Sequence, residues 1–124
     1  MRWKQDSEHR YLLLLPAPEE VWAPLSESDH ELGMQNHQRF HEALAARSHR
    51  LVMANPMEPP RQAISMRNTG RGSAIVTDGP FTEAAEQIVG FYLIDCGDEV
   101  DLLEILRSFA EGGDHVECRR LATG

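Results

Sequence analysis

Apolar and polar residues follow one another along this chain in patterns that predict six strands and two helices. The first run, from Arg10 to Leu15, is almost continuously apolar and stops at Pro16, which is typical of a central strand covered on both faces. Three further runs predict strands of the same sheet, and they extend from Leu51 to Ala54, from Ile88 to Ile94 and from His115 to Leu121.

Two stretches carry apolar residues at the steps of three and four that place side chains on one face of a helix. The first helix begins after Ser26 or Ser28, since both are suited to an N-cap ahead of an acidic first turn, and it runs to about Arg47. Its apolar stripe includes His37, so we expect this imidazole to face the sheet. The second helix ends near Ala110, because two glycines follow it.

Two more extended runs, Ala63 to Arg67 and Ser73 to Asp78, face each other across a turn that contains glycine, and they predict a β-hairpin. Without this hairpin the element order is βαββαβ, the ferredoxin-like plan of an α+β fold. Two helices cover only one face of such a sheet, whereas the strands are apolar on both. We therefore expect a homodimer formed by sheet-to-sheet packing. The alternative is a monomer whose second face is covered by its own hairpin and N-terminal arm.

The composition fits one compact domain and excludes several kinds of partner. A chain of 124 residues with 41% hydrophobic content can form one core, so we expect an N-terminal arm, residues 1–9, and a single domain, residues 10–124. A net charge of -8 disfavours binding to nucleic acid or to an anionic membrane. No apolar run is long enough to cross a bilayer and the N-terminus lacks the layout of a secretory signal, so we expect a cytoplasmic protein.

The two cysteines, Cys96 and Cys118, have neither metal-binding nor redox spacing. In a ferredoxin-like sheet their strands flank the first strand on opposite sides, which puts the two thiols beyond disulfide reach. The sequence contains no phosphate-binding glycine loop with lysine, no nucleophile elbow and no Cys-His catalytic spacing, and it indicates no cofactor.

The least generic stretch extends from Ile75 to Cys96 and predicts a strand, a tight turn, a short acidic segment and another strand. In the turn, Gly79 accepts unusual φ values and Pro80 cannot continue a ladder, so Asp78 lies on a rigid corner. The segment Thr82 to Gln87 has room for at most one helical turn. The order of Asp-Gly-Pro-Phe, acidic segment and Gly-Phe-Tyr-Leu-Ile resembles the DGPF signature of the YCII-related family, and weaker similarity extends over most of the chain.

This resemblance implies a dimeric α+β barrel and a His-Asp pair of the kind proposed for related proteins, some of which act on ring substrates by dehydrohalogenation or isomerisation. It also permits a role in stress signalling, because genes for such proteins often lie beside those for extracytoplasmic-function sigma factors. The chain departs from the family pattern at Ala84 and Ala85, where relatives commonly have Thr-Lys, and this removes a charge that a borrowed site would use.

His37 and Asp78 are the candidate catalytic residues. Imidazole exchanges protons near neutrality, and a carboxylate on a fixed corner can orient it for general acid-base catalysis. Only the aspartate follows from the family motif, whereas His37 follows from its place on the helix. The alternatives are a packed histidine and an aspartate that bonds donors in its own turn. The spacing of His37 and His41 also suits a metal ion, but no third ligand is evident, so we predict no metal site.

Two functions from different classes remain open. In the first, the protein is a small enzyme or small-molecule-binding protein with a pocket between the long helix and the sheet. The candidate ligand-binding residues are Gly79, Pro80, Phe81, Glu83, Glu86, Phe40 and Phe91. Exposure to solvent explains the two glutamates more readily than a place in the pocket. In the second, the chain is a noncatalytic interaction module associated with stress or sigma-factor signalling.

Overall fold

The computed structural model describes residues 9–18, 26–81 and 86–122, with the side chains of Pro18 and Glu86 left out. The predicted N-terminal arm lies outside the described residues except for His9. The elements are β1 (His9–Pro18), α1 (Glu27–Ala46), β2 (Arg50–Pro56), β3 (Ile64–Gly70), β4 (Ser73–Asp78), β5 (Glu86–Cys96), α2 (Glu99–Glu111) and β6 (Glu117–Arg120), with a 3₁₀ turn (Pro60–Gln62) before β3.

Four strands form an antiparallel sheet in the order β2-β5-β1-β6, and β3 and β4 form a separate hairpin. This order, with the hairpin inserted between the second and third strands of the sheet, is the ferredoxin-like arrangement of an α+β fold, as predicted. One strand boundary differs from the prediction, because β5 begins two residues before Ile88 and Glu86 and Gln87 already pair with β1. The rest of the predicted acidic segment, residues 82–85, lies outside the described residues.

Both helices begin at a side-chain cap. Ser26, not Ser28, caps α1, and its hydroxyl accepts a hydrogen bond from the Asp29 N–H at 3.1 Å. The Asp98 carboxylate caps α2 in the same way, with the Asp101 N–H at 3.1 Å. Acidic side chains in both first turns favour the positive end of the helix dipole.

The core lies between the two helices and one face of the sheet. Side chains alternate across a strand, so Tyr11, Leu13 and Leu15 of β1 are buried against the helices. The buried apolar cluster contains Tyr11, Leu13, Leu15, Phe40, Leu44, Tyr92, Ile94, Cys96, Leu102, Ile105, Leu106 and Phe109. The apolar pattern of α1 indicates its buried face only in part, because Leu32 is exposed while the polar side chain of Asn36 is buried.

The opposite face of the sheet carries a row of apolar side chains that the single chain covers only in part. Leu12 pairs with Leu93 and Leu14 pairs with Phe91, and all four are half-buried. At one end of this face the fully buried carboxylate of Asp95 binds two guanidinium groups. Arg10 Nε and Arg50 Nη2 each lie 2.8 Å from its oxygens.

The strand placement of the two cysteines is as predicted. Cys96 ends β5 and Cys118 lies in β6, and these strands flank β1 on opposite sides. The two cysteines do not form a disulfide bond with each other.

Candidate functional site

A cavity of about 610 Å³ opens between α1, the strands β1, β2 and β5, and the turn after α2. Its volume falls in the range of small-molecule sites, about 300 to 1,000 Å³. Apolar parts of the chain form most of its wall, contributed by Leu15, Pro16, Ala17, Ala54, Pro56, Val89, Gly90 and Phe91. The polar side chains along the wall belong to His37, His41, Asn55, Tyr92, Asp114 and His115.

Four of these polar side chains form a continuous chain of hydrogen bonds. Asp114 Oδ1 lies 3.2 Å from His37 Nε2, and His37 Nδ1 lies 2.6 Å from the Tyr92 hydroxyl. The same hydroxyl lies 3.0 Å from His41 Nε2. Helix α1 places the two imidazoles one turn apart, since residues four positions apart share a helix face. Strand β5 supplies the phenol, and the turn after α2 supplies the carboxylate.

Asn36 holds the carboxylate end of this chain in place. Its side chain is almost fully buried, and Nδ2 donates to Asp114 Oδ2 at 2.7 Å and to the Phe109 carbonyl at 2.9 Å. The second bond ties the amide to the last turn of α2, just before Gly112. A side chain at Gly112 would occupy the space of Asn36, because an added Cβ would lie 1.9 Å from Asn36 Oδ1.

Aromatic contacts fix the rings of the two central groups. The His37 ring packs edge-to-face against Phe109, with centroids 5.0 Å apart. The Tyr92 ring packs edge-to-face against Phe40 at 5.0 Å and against His41 at 5.4 Å. These edge-to-face arrangements are favourable for aromatic rings. The hydrogen-bonded chain therefore lies on a packed support.

The surrounding protein sets the charges of the hydrogen-bonded side chains. Burial alone would raise the pKa of Asp114, but hydrogen bonds from His37 and Asn36 outweigh it, so this pKa lies below its usual value. Burial, with a smaller contribution from the Asp114 charge, raises the pKa of Tyr92 to about 12. Burial and the neighbouring His37 lower the pKa of His41. At neutral pH the hydrogen-bonded series thus contains the ionised Asp114 carboxylate, the protonated Tyr92 phenol and the neutral His41 imidazole.

These charges determine the direction of two hydrogen bonds. An ionised carboxylate only accepts, so His37 Nε2–H donates to Asp114. In neutral His37 the other nitrogen, Nδ1, then has no proton and accepts from the Tyr92 O–H. The arrangement of carboxylate, imidazole and hydroxyl is the one in which a histidine can take a proton from the hydroxyl while the carboxylate stabilises the resulting imidazolium.

Asp78 does not belong to this series of hydrogen-bonded side chains and is not the partner of His37. It ends β4 opposite Ile64, is exposed, and is absent from the described lining of the cavity. The expected orientation of His37 by Asp78 is therefore wrong within one chain, because Asp114 occupies that place. A catalytic role for Asp78 stays a prediction.

The turn after Asp78 has the rigid form that the sequence predicts. Gly79 has a φ of 101°, which favours glycine, and its N–H donates to the Ala63 carbonyl at 2.6 Å. The Ser65 hydroxyl donates to the Gly79 carbonyl at 2.6 Å. Gly79 and Pro80 are half-buried beside this hairpin, and neither is among the residues found along the cavity.

The three aromatic residues predicted to bind a ligand lie in different parts of the structure. Phe91 lines the cavity. Phe40 is buried in the core and borders a second depression, of about 410 Å³, between α1 and α2. Phe81 is exposed, with the Arg67 guanidinium 5.1 Å from its ring centroid. Glu83 lies outside the described residues, as does the side chain of Glu86.

Sequence reasoning missed three residues of the site and considered a fourth only as a metal ligand. Tyr92 lies within the apolar β5 run, and its hydroxyl was the signal that a polar partner should be near. Asp114 directly follows the two glycines after α2, where a turn can direct a carboxylate back to α1. Asn36 precedes His37 on the helix. His41 belongs to the series of hydrogen bonds as the second imidazole bonded to the Tyr92 hydroxyl.

Within residues 9–18, 26–81 and 86–122, no group of three or more His, Cys, Asp or Glu side chains is placed to hold a metal ion. Neither helix in these ranges combines the length and the apolar character needed to cross a membrane.

A sequence model of the YCII-related domain matches residues 10–120, which is most of the chain. The chain belongs to the YCII-related domain family. This YCII-related domain is also similar to an uncharacterised protein, R00369, of Rhizobium meliloti (strain 1021), at 42% identity over 52 residues. That match covers 42% of the chain and 41% of the relative, so it spans well under half the length of either.

Two solved structures are similar in shape to this YCII-related domain. One is an unknown protein from Galdieria sulphuraria, with a TM-score of 0.48 and 10% identity over 98% of this chain and 54% of the other. Another is the 30S ribosomal protein S6 from Thermotoga maritima, with a TM-score of 0.46 and 14% identity over 92% of this chain and 88% of the other. Similarities at this level say nothing about function.

Proposed function

We propose that this YCII-related domain binds a small, largely apolar molecule in the cavity and transfers a proton to or from it. The observation that carries this proposal is the Asp114–His37 hydrogen bond in the cavity wall. A carboxylate that accepts from one imidazole nitrogen keeps the other nitrogen basic and directed along a defined line, which is what general acid-base catalysis requires. Asp114 thus replaces Asp78 as the acidic partner of the predicted His-Asp pair.

The lining of the cavity supports a neutral and mostly apolar ligand. Leu15, Val89 and neighbouring backbone supply apolar contact area, and the polar groups are gathered on one side. No lysine or arginine is found along the described wall, while Asp114 adds a negative charge to it. An anionic ligand would therefore lack an ion-pair partner and would approach a carboxylate, which is unfavourable.

The test is a screen of small neutral ring compounds and small aliphatic compounds by protein NMR. We expect ligands to shift the backbone amide signals of Ala54, Gly90 and Gly113, which surround the cavity. His37→Ala should weaken the same ligands, whereas His30→Ala, an exposed substitution on the same helix, should not. Shifts confined to the β3–β4 hairpin would place ligands elsewhere and contradict the proposal.

We also propose that the second face of the sheet packs against the same face of another copy. The half-buried residues Leu12, Leu14, Phe91 and Leu93 form an apolar row there, and packing two such rows together removes both from water. Light scattering should show a dimer that Leu93→Arg dissociates. The matched substitution Leu103→Arg, on the exposed side of α2, should leave the dimer intact. A monomer at micromolar concentration would contradict this assembly.

A second candidate function is the noncatalytic interaction module, and the β3–β4 hairpin favours it. Met66 pairs with Val76, and these side chains and Ile64 are each more than half exposed. Exposed apolar clusters of this kind mark protein-binding surfaces. A binding titration with a sigma factor from the same genome tests this function. Met66→Glu should abolish such binding while His37→Ala leaves it unchanged, and the reverse pattern would exclude the hairpin as the binding surface.

A further inference from the structure

Both ring nitrogens of His37 are occupied by groups of the protein itself. Nε2 bonds Asp114 and Nδ1 bonds the Tyr92 hydroxyl, so His37 cannot bond a ligand without losing one of them. The next imidazole in the chain differs. His41 Nε2 bonds the Tyr92 hydroxyl, His41 is exposed, and its Nδ1 has no hydrogen-bond partner in the part of the chain that the structure describes. Within the series of hydrogen bonds, His41 is therefore the member that can bond a further group.

We propose that His41, Tyr92 and His37 form a proton relay in which His41 Nδ1 exchanges the proton and His37, beside Asp114, stores the charge. The relay rests on the proposed function. It extends that function by naming His41 as the group that exchanges the proton with solvent or ligand. It makes Tyr92 and His41 members of the acid-base apparatus and gives His37 the inner position.

The hydrogen-bond directions define how a proton moves through the relay. In the resting state His41 Nε2–H donates to the Tyr92 oxygen, and the Tyr92 O–H donates to His37 Nδ1. A proton that binds His41 Nδ1 releases the Nε2 proton to the Tyr92 oxygen. Tyr92 in turn gives its own proton to His37 Nδ1. Three N–H or O–H bonds form and two break, so the net change is one added proton. Its charge lies on His37, and Tyr92 is again a neutral phenol.

The geometry favours this end state over a charged His41. His37 lies 3.2 Å from the Asp114 carboxylate, which stabilises an imidazolium, whereas the polar contact of His41 within the described residues is the phenol. Other titratable groups also face the relay. Asp29 and His30 share a surface depression with His37 and His41 on α1, and His115 lines the cavity beside Asp114. The lowered pKa of His41 and the raised pKa of Tyr92 agree with a relay in which these two groups stay neutral and His37 carries the charge.

The relay predicts an unusual titration that long-range ¹H–¹⁵N correlation spectra of the imidazole rings can measure without any ligand. At high pH both histidines should carry their proton on Nε2. As the pH falls, His37 should gain its second ring proton, and His41 should change at the same midpoint from the Nε2–H to the Nδ1–H tautomer while its charge stays the same. A histidine with only a structural role would not change tautomer at another residue's titration midpoint.

Tyr92→Phe removes the hydroxyl that joins the two imidazoles. In this variant the tautomer change of His41 at the His37 midpoint should disappear. Tyr11→Phe is the matched control, since Tyr11 is also buried but bonds Glu99 away from the cavity, and it should keep the change. Should Tyr92→Phe fail to fold, the wild-type titration alone decides the matter.

The relay is refuted if His41 remains the Nε2–H tautomer while His37 titrates, or if Tyr92→Phe leaves the coupled change intact. These outcomes are distinct from failure of the proposed function. Ligands that shift the cavity signals in a protein without the coupled titration would overturn the relay alone. A coupled titration in a protein that binds no small molecule would overturn the proposed function and leave a relay without a ligand.

Discussion

Gly112→Ala provides a sharp test of how the candidate site is held together. Gly112 caps α2 with φ −79° and ψ −1°, a conformation that alanine adopts without strain. The backbone therefore does not oppose the substitution. The added Cβ, however, would lie 1.9 Å from Asn36 Oδ1 and 2.5 Å from its Cγ. The buried amide must move by about 1.5 Å to restore an ordinary 3.4 Å contact.

A displacement of this size breaks the two hydrogen bonds that Asn36 donates, to the Phe109 carbonyl and to Asp114. Each is worth about 1 kcal/mol, or somewhat more where the acceptor is charged. As an independent comparison, inserting extra carbon atoms into a packed protein interior lowers stability by about 1 to 3 kcal/mol. Replacing glycine by alanine also stabilises the protein by about 0.4 to 1 kcal/mol, because alanine restricts the conformations of the unfolded chain. We therefore expect a net loss of about 1 to 2 kcal/mol, or about 4 to 8 °C in Tm for a chain of this length.

Gly33→Ala is the matched control. Gly33 lies inside α1, and an added Cβ would meet no atom within 4 Å. Alanine should raise the stability there by up to about 1 kcal/mol, because it has the higher helix propensity. Urea denaturation of both variants at one protein concentration measures the two effects with opposite signs.

A readout at the site distinguishes displacement of Asn36 from general destabilisation. The Asn36 bond is one of the causes that lower the pKa of Asp114, so this pKa should rise toward its ordinary value in Gly112→Ala and not in Gly33→Ala. Equal stability of Gly112→Ala and the wild type, with the side-chain amide signals of Asn36 unchanged, would refute the reasoning.

Three further predictions concern charge and pH. The lowered pKa of Asp114 means that the hydrogen bonds to its carboxylate stabilise the fold above the unfolded value, about 3.9. This contribution is lost as the pH falls through the folded value, which acid titration of Asp114→Asn against the wild type should show. Burial raises the pKa of Tyr11 and Tyr92 to about 12, so ultraviolet absorbance should show no tyrosinate near pH 10. The stability that the two phenols contribute below pH 10 should be lost as the pH rises toward 12. A tyrosinate transition near pH 10 in the folded protein would contradict this. Asp95→Ala leaves two guanidinium groups without their shared carboxylate and should lower the free energy of unfolding in urea by about 2 to 3 kcal/mol. The control Glu104→Ala, at an exposed position, should change this free energy by less than about 0.5 kcal/mol. Equal effects would refute a special role for Asp95.

Local rules predicted the elements of this protein well because each of them depends on neighbouring residues. Ser26 caps α1 since its hydroxyl reaches an N–H only three positions along the chain, and the glycine with positive φ follows Asp78 since the turn itself needs it. The order of the strands was also predictable, because few arrangements of βαββαβ bury the apolar faces of two helices on one sheet.

The partners of His37 were not predictable in the same way. The helical period placed His37 toward the sheet, and the family motif made Asp78 the natural acidic partner. Asp114 takes that position because the turn after α2 returns the chain to α1, so two residues far apart in sequence meet. Nothing local to Asp114 signals that meeting, since an aspartate after two glycines is also typical of a solvent-exposed turn.

The sequence by itself determined the ferredoxin-like order of elements, the capped helix that carries His37 and His41, and the Gly79 turn, because periodicity and turn chemistry act over a few residues. Only the tertiary structure decided that Tyr92 lies between the two imidazoles and that Asn36 and Asp114 complete the chain. These contacts join α1, β5 and the turn after α2, and their distances depend on how the two helices pack on the sheet, which no local pattern specifies.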